Sequence, residues 1–246
     1  MSPEKLSKRQ ERRAQIQRQG QRRRLITIGL VVIGAALLVF AFVWPQIKSV
    51  GEIITVTPAA ALPNPDGLSL GDPAASVTID VFEDFQCPAC QFFTESIEPL
   101  IIQNLVATGK ARYVFHQYPF LDDRVAGIES DQAANASMCA NEQEKFWEMH
   151  SILYANWNGE NQGAFSDRRL QAMAESIGLD MNAFNDCFSA NTYEEEIQAD
   201  FDQGQSMGVS GTPTVFVNGT QVGQPGKIAT YEEIAQAVDL ALGASE

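Results

Sequence analysis

Alternation and helical periodicity predict a mixed α/β sheet interrupted by a helical insertion and preceded by one membrane-spanning helix. Three observations carry this. Two β-rich runs, at residues 77–82 and 111–116, flank a helical pattern; helical spacing then persists from about residue 125 to 205 without a strand; and residues 214–222 read as a hairpin. With 246 residues, 45% of them apolar and 20% charged, the chain can build one sizeable core and is neither wholly disordered nor fibrous.

From the N-terminus, residues 1–24 hold nine Lys and Arg against Glu4 and Glu11. Leu25 to Trp44 follows, twenty residues without a charge. At about 1.5 Å per residue it forms a helix of about 30 Å, the thickness of a bilayer's hydrocarbon core. A cleaved signal peptide has a shorter apolar stretch ending in a small-x-small site. This one ends in Phe42-Val43-Trp44-Pro45, and the nearest small-x-small run is Ala59–Ala61, so an uncleaved single-pass anchor is expected. The positive-inside rule puts residues 1–24 in the cytoplasm as a basic tail and the remainder outside the cell membrane. That remainder keeps 8 of the 17 basic residues but 29 of the 31 acidic ones. Such a body repels phosphate backbones, so nucleic acid is excluded as a partner.

Residues 45–75 contain Pro45, Pro58, Pro63, Pro65 and Pro73 and the turn Asn64-Pro65-Asp66-Gly67, which predicts a linker before a single domain over 76–246. Val77 to Phe82 opens that domain as a strand. Cys87 to Val106 is a helix by the spacing of Phe93, Ile97, Leu100, Ile101 and Leu105, kinked at Pro99. Ala111 to His116 is the next strand, ended by Tyr118-Pro119. The insertion, about residues 122–207, shows Phe146, His150, Leu153 and Tyr154 at helix spacing, and Ser166-Asp167 offers an N-cap before Leu170, Met173 and Ile177. Thr214 to Val217 and Thr220 to Val222 form a hairpin across Asn218-Gly219. Thr230, with Glu233 three residues on, caps a last helix ending near Leu242.

The four cysteines all follow the anchor and so lie where disulfides persist; three pairings are possible. Cys87-Pro88-Ala89-Cys90 stands after a strand and opens a helix, where unpaired N–H groups and the helix dipole stabilise a thiolate on the first sulfur. A zinc site needs a second pair at ligand spacing, which Cys139 and Cys187 do not supply and His116 and His150 do not complete; no metal and no cofactor is expected. Cys139 and Cys187 fall in the insertion. Two buried free thiols, a second redox relay and a structural bridge are all open to them, and the oxidising compartment favours the bridge. His150 reads as a packed structural histidine, His116 carries no assigned role, Trp147 and Trp157 read as core and groove lining, and Glu194, Glu195 and Glu196 as a solvated helix face.

Three ordered motifs carry a resemblance: Phe82-Glu83-Asp84-Phe85-Gln86-Cys87-Pro88-Ala89-Cys90, Phe146-Trp147-Glu148-Met149-His150, and Val209-Ser210-Gly211-Thr212-Pro213-Thr214-Val215-Phe216-Val217-Asn218-Gly219. Over about residues 70–243 the chain resembles the DsbA-like branch of the thioredoxin superfamily, above all the membrane-anchored thiol-disulfide oxidoreductases of bacterial envelopes. The resemblance implies a thioredoxin-like fold with a helical insertion domain, Cys87 as reactive thiol and Cys90 as its partner, and a cis-proline loop at Thr212-Pro213 that binds substrate. It implies exported proteins with cysteine thiols as substrates, and a quinone-linked membrane thiol oxidase as the partner that re-oxidises the pair. In the family a buried acid often sits six residues before the first cysteine. Here that residue is Val81; Asp80, Glu83 and Asp84 are the nearby acids, with Asp80 expected on the opposite face of the strand. The expected activity is disulfide introduction. A reductase or isomerase on the same fold is one rival, and a Cu(I)-binding module using both thiols and Met207 is another.

Overall fold

The computed structural model describes residues 8–47, 50–56, 62–124, 126–224 and 226–244. The chain divides into two compact units, residues 1–49 and 50–246. In the first, helix α1 spans Lys8–Ile47, and its stretch Arg18–Ala41 is long and apolar enough to cross a membrane. The apolar side chains of that stretch, Leu30, Val31 and Leu38 among them, are exposed, as a lipid-facing helix requires.

The second unit is a five-stranded sheet with helices on both faces. Its elements are β1 Ser69–Leu70, β2 Thr78–Glu83, α2 Pro88–Ser96, α3 Glu98–Ile101, β3 Arg112–Gln117, α4 Glu129–Asn141, α5 Phe146–Ala155, α6 Asp167–Ser176, α7 Met181–Ala190, α8 Glu194–Ser206, β4 Thr214–Val217, β5 Thr220–Val222 and α9 Tyr231–Gly243. The order across the sheet is β1-β3-β2-β4-β5, with β2 parallel to β3 and the other pairs antiparallel. Pro99 falls in the first turn of α3, where a missing N–H costs nothing, so the expected kink becomes a break at Ile97; the helix then runs on through a π-helical stretch, Ile102–Val106. Helices α4 to α8 form the insertion between β3 and β4. Thr230 and Glu233 close a reciprocal capping box on α9.

Strand β2 lies at the centre and sends its two faces to different neighbours. Ile79, Val81 and Glu83 alternate onto the face shared with Tyr113 and Phe115; Asp80 and Phe82 alternate onto the face shared with His116 and Phe216. The core is continuous through both faces and into the insertion, where Phe165, Leu170, Met173 and Phe184 are buried.

The linker expected over 45–75 requires correction. Residues 48–49 and 57–61 of it lie outside the described residues, but α1 runs to Ile47, and from Val50 the chain belongs to the second unit. Ile54 exchanges backbone hydrogen bonds with the Asn156 side chain, N–H to Oδ1 at 2.9 Å and O from Nδ2 at 2.8 Å, and Arg169 Nη1 donates to Val50 O at 2.7 Å. Ser69 and Leu70 add an edge strand on Val114 and Tyr113. Gly71, at φ +102°, turns the chain out of that strand where a Cβ would lie 2.7 Å from Val106 Cγ1. A two-residue strand is too short to show alternation, and side-chain-to-backbone pairing leaves no periodic trace, so proline content dominated the sequence reading.

Candidate active site

Cys87 is the N-cap of α2 and Pro88 its first residue. Placed there, the thiol faces the unpaired N–H groups of the helix's first turn. Cys87 is 6% exposed and Cys90, one turn on, is fully buried; both are free thiols. The Thr212–Pro213 peptide bond is cis, and Cys87 Sγ lies 3.4 Å from Thr212 O. The chain thus brings Cys87, Cys90 and the Thr212-Pro213 loop to one place, although 125 residues separate Cys87 from Thr212.

The two thiols are electrostatically unequal. A hydrogen bond from the Cys90 thiol, aided by the Thr212 side chain and by the backbone N–H groups of Cys90 and Ala89, overcomes burial and brings Cys87 down to about 6. Burial, its hydrogen bond to Cys87 and the nearby charge of Glu83 push Cys90 well up. At neutral pH the reduced pair is therefore one thiolate and one thiol, the thiolate outermost.

Behind the pair lies a buried acidic cluster that sequence reasoning resolved only in part. Glu83, on the same face of β2 as Val81, accepts hydrogen bonds from Tyr154 Oη at 2.9 Å and Thr94 Oγ1 at 3.4 Å on Oε2, and Tyr113 Oη lies 3.2 Å from its Oε1. The same Tyr113 hydroxyl lies 3.2 Å from Glu98 Oε2. Burial pushes Glu83 well up, reinforced by Glu98, and pushes Glu98 up to about 8. His150 packs against the rings of Phe85, Phe115, Phe146, Trp147 and Tyr154, and its Nε2 lies 3.6 Å from Glu98 Oε2. Burial brings it down to about 3, so it is neutral. Glu98 and Tyr113 carry no role in the sequence, and Tyr154 stands there only as part of a helix pattern. Their signal was available in a weak form: Glu98 interrupts an apolar run between Ile97 and Pro99, and Tyr113 alternates inward with Phe115.

The other two acids do different work. Asp80 is on the opposite face, where His116 bridges it to Asp200 with Nε2 at 3.0 Å from Asp80 Oδ1 and Nδ1 at 3.2 Å from Asp200 Oδ1. Asp84, raised to about 7 by burial, accepts from Gln86 N, Leu121 N and Ser130 Oγ. Gln86, immediately before Cys87, reaches Ser130 Oγ at 2.9 Å and Asp122 Oδ1 at 3.1 Å with Nε2, accepts from Asn161 N on Oε1, and accepts from Trp157 Nε1 on its carbonyl at 2.7 Å. The approach to the thiols is thus pinned to the insertion on several sides.

Cys139 on α4 and Cys187 on α7 form a disulfide with Cα atoms 5.8 Å apart, closing a loop of 48 residues. Met207 caps the C-terminal end of α8 and packs against the core. Glu194, Glu195 and Glu196 are exposed at the start of α8.

Comparison with known proteins agrees with this geometry. A family model described as Thioredoxin matches residues 63–239. The chain is 29% identical over 155 residues to the probable disulfide bond formation protein D of Bacillus cereus, covering 61% of this chain and 69% of that protein. It is 34% identical over 149 residues to the Na(+)/H(+) antiporter NhaA 3 of Salinispora tropica, covering 61% of this chain but only 21% of the antiporter, so the likeness spans about a fifth of that protein. Among solved structures, oxidised BdbD from Bacillus subtilis superposes with a TM-score of 0.63 at 25% identity, covering 75% of this chain and 98% of that one. DsbA from Chlamydia trachomatis, at 23% identity and a TM-score of 0.58, shares the fold. With the family model matched over most of its second unit, the mixed sheet and helical insertion in place and two thiols at the head of α2, the chain belongs to the thioredoxin family.

Proposed function

We propose that the chain is a membrane-anchored thiol-disulfide oxidoreductase that introduces disulfides into exported proteins through Cys87 and Cys90. The observation that carries this is the inequality of the two thiols: an outer one brought down to about 6 beside a buried one pushed up. A substrate thiolate attacks Cys87 Sγ of the Cys87–Cys90 disulfide; that bond breaks, and Cys90 leaves with its electron pair and takes up a proton. A second substrate thiolate then attacks the substrate sulfur of the mixed disulfide and releases Cys87 as a thiolate. The Thr212-Pro213 loop, with Thr212 O beside Cys87, holds the extended substrate chain. Lowering Cys87 from about 8.5 to about 6 stabilises the reduced form by about 1.4 kcal/mol at pH 7, or about 30 mV toward a stronger oxidant.

The relatives named for disulfide bond formation support this reading, as does the apolar helix ahead of the domain. In it residues 1–24 lie in the cytoplasm, residues 25–44 cross the cell membrane, the redox domain is extracytoplasmic, and a quinone-linked membrane thiol oxidase restores the disulfide. The test is equilibration of the detergent-solubilised full chain in glutathione buffers. The expected potential lies above the about −270 mV of thioredoxin, toward the about −120 mV of strong oxidants. A value at the thioredoxin end assigns a reductase instead.

A further inference from the structure

One hydroxyl lies between two buried acids. Tyr113 Oη is 3.2 Å from Glu83 Oε1 and 3.2 Å from Glu98 Oε2, and a phenol has a single proton to donate. It satisfies one carboxylate; the other must itself carry a proton and donate to the phenol oxygen. No basic side chain is hydrogen-bonded to either acid among the described residues, and the imidazole beside Glu98, His150, is neutral. The raised positions of both acids agree with a proton held between them. The two ends of this chain of groups differ. Glu83 is fully buried and receives the Thr94 hydroxyl, which sits on α2 one turn beyond Cys90 and on the same helix face, so its carboxyl lies on the side of α2 that carries that thiol, near enough for its charge to act on Cys90. The side chain of Glu98 retains 9% exposure, whereas Glu83 has none.

We propose that Glu83, Tyr113 and Glu98 form a proton chain that links Cys90 to solvent. The proposal rests on the thiol chemistry proposed for Cys87 and Cys90. When the disulfide opens, the leaving Cys90 sulfur takes the proton of the Glu83 carboxyl. Glu98, the carboxylate that had accepted from Tyr113, takes a proton from water and passes it to Tyr113 as Tyr113 gives its own to Glu83. One proton thus moves from solvent to Cys90 for each disulfide opened, and the phenol is unchanged at the end. When a mixed disulfide on Cys87 is resolved by Cys90, every transfer reverses: the Cys90 proton goes to Glu83, the Cys90–Cys87 bond forms, the bond from Cys87 to the other sulfur breaks, and that sulfur leaves with the electron pair. Glu83 is the group that exchanges a proton with the reacting sulfur, and Tyr113 and Glu98 act through it.

The experiment follows Cys90 attack on a glutathione mixed disulfide at Cys87 in the full chain, comparing wild type with Glu98→Gln and Tyr113→Phe. Both variants keep the shape of the cluster and interrupt the chain. Resolution slows about tenfold or more in each and its solvent isotope effect changes, while alkylation of Cys87 by iodoacetamide keeps the wild-type rate. Resolution within about twofold of wild type in both variants overturns the chain. Should either variant fail to fold, wild type alone decides through its reduced-minus-oxidised infrared spectrum in the protonated-carboxyl region. A redox-dependent band supports the chain, and a silent region in a protein whose dithiol cycles normally overturns it while leaving the proposed function standing. A Cys87-Cys90 pair that never forms a disulfide in glutathione overturns both.

Discussion

Cys87 owes its character to the groups aimed at its sulfur, and each can be removed singly. Thr212 is the instructive case, because its side chain belongs to a loop far away in sequence yet is among the groups that bring Cys87 down. Thr212→Val keeps the volume and removes the hydroxyl. The thiolate absorbance of the reduced protein should then titrate higher than in wild type, where about 6 is expected, but by less than tenfold in acidity, since the Cys90 thiol and two N–H groups remain. An unmoved titration would leave only the carbonyl of Thr212 with a role beside the sulfur. The pair and its helix position were legible in the sequence because strand, CxxC and helix are contiguous there. The acid behind them was half legible. Alternation along one strand correctly turned Asp80 away from Val81 and left Glu83 facing the same way, but the partners of Glu83 come from α2, α3, β3 and α5, and no local pattern joins them.

Between elements, the least anticipated contact joins β2 and β3 to α8. His116, given no role from its sequence, is the bolt: Asp80 on β2 and Asp200 on α8 flank its ring, and Phe82 stacks on it at 4.5 Å. Burial alone would lower its protonation range, but hydrogen bonds and charge from Asp200 and Asp80 bring it up to about 9. A histidine raised on folding contributes stability that is fully present below about 6.5 and is lost as pH rises through about 9. Holding the ring charged up to about 9 instead of 6.5 corresponds to about 3 kcal/mol. Stability measured by urea unfolding should therefore fall between about pH 7 and 9.5 in wild type, and His116→Gln should flatten that fall. A wild-type profile that is level over this range would show the ring to be neutral and merely packed. A second tie, Cys139–Cys187, joins α4 to α7; in the chain-entropy account a loop of 48 residues stabilises the fold by about 4 kcal/mol. The helices and the hairpin were readable because caps, turns and periodicity are local signals. These ties between them were not, since a His–Asp bridge has no spacing rule.

For the molecule as a whole, the redox unit begins earlier than composition suggests. Residues 50–56 hold Val50, Ile53, Ile54 and Val56 but are tied to the domain through the backbone groups of Val50 and Ile54, and β1 is only two residues long, so their attachment through Asn156, Arg169 and strand pairing leaves no pattern in the sequence. A soluble form starting at residue 62 should melt about 4–8 °C below one starting at residue 50, equivalent to about 2 kcal/mol, because Asn156 and Arg169 lose their backbone partners. Equal melting temperatures in calorimetry would return residues 50–56 to the status of a tether. The grip on Gln86 has a broader consequence. Ser130, Asp122, Asn161 and Trp157 all belong to the insertion, and all hold Gln86, the residue next to Cys87. The insertion is therefore no interchangeable attachment on a self-sufficient redox core. A chimera that grafts a foreign insertion onto this sheet, as one would to redirect substrate choice, inherits a Cys87 whose backbone is no longer anchored. In this protein the insertion and the placing of Cys87 are joined through Gln86, and an engineer cannot replace the one without reopening the other.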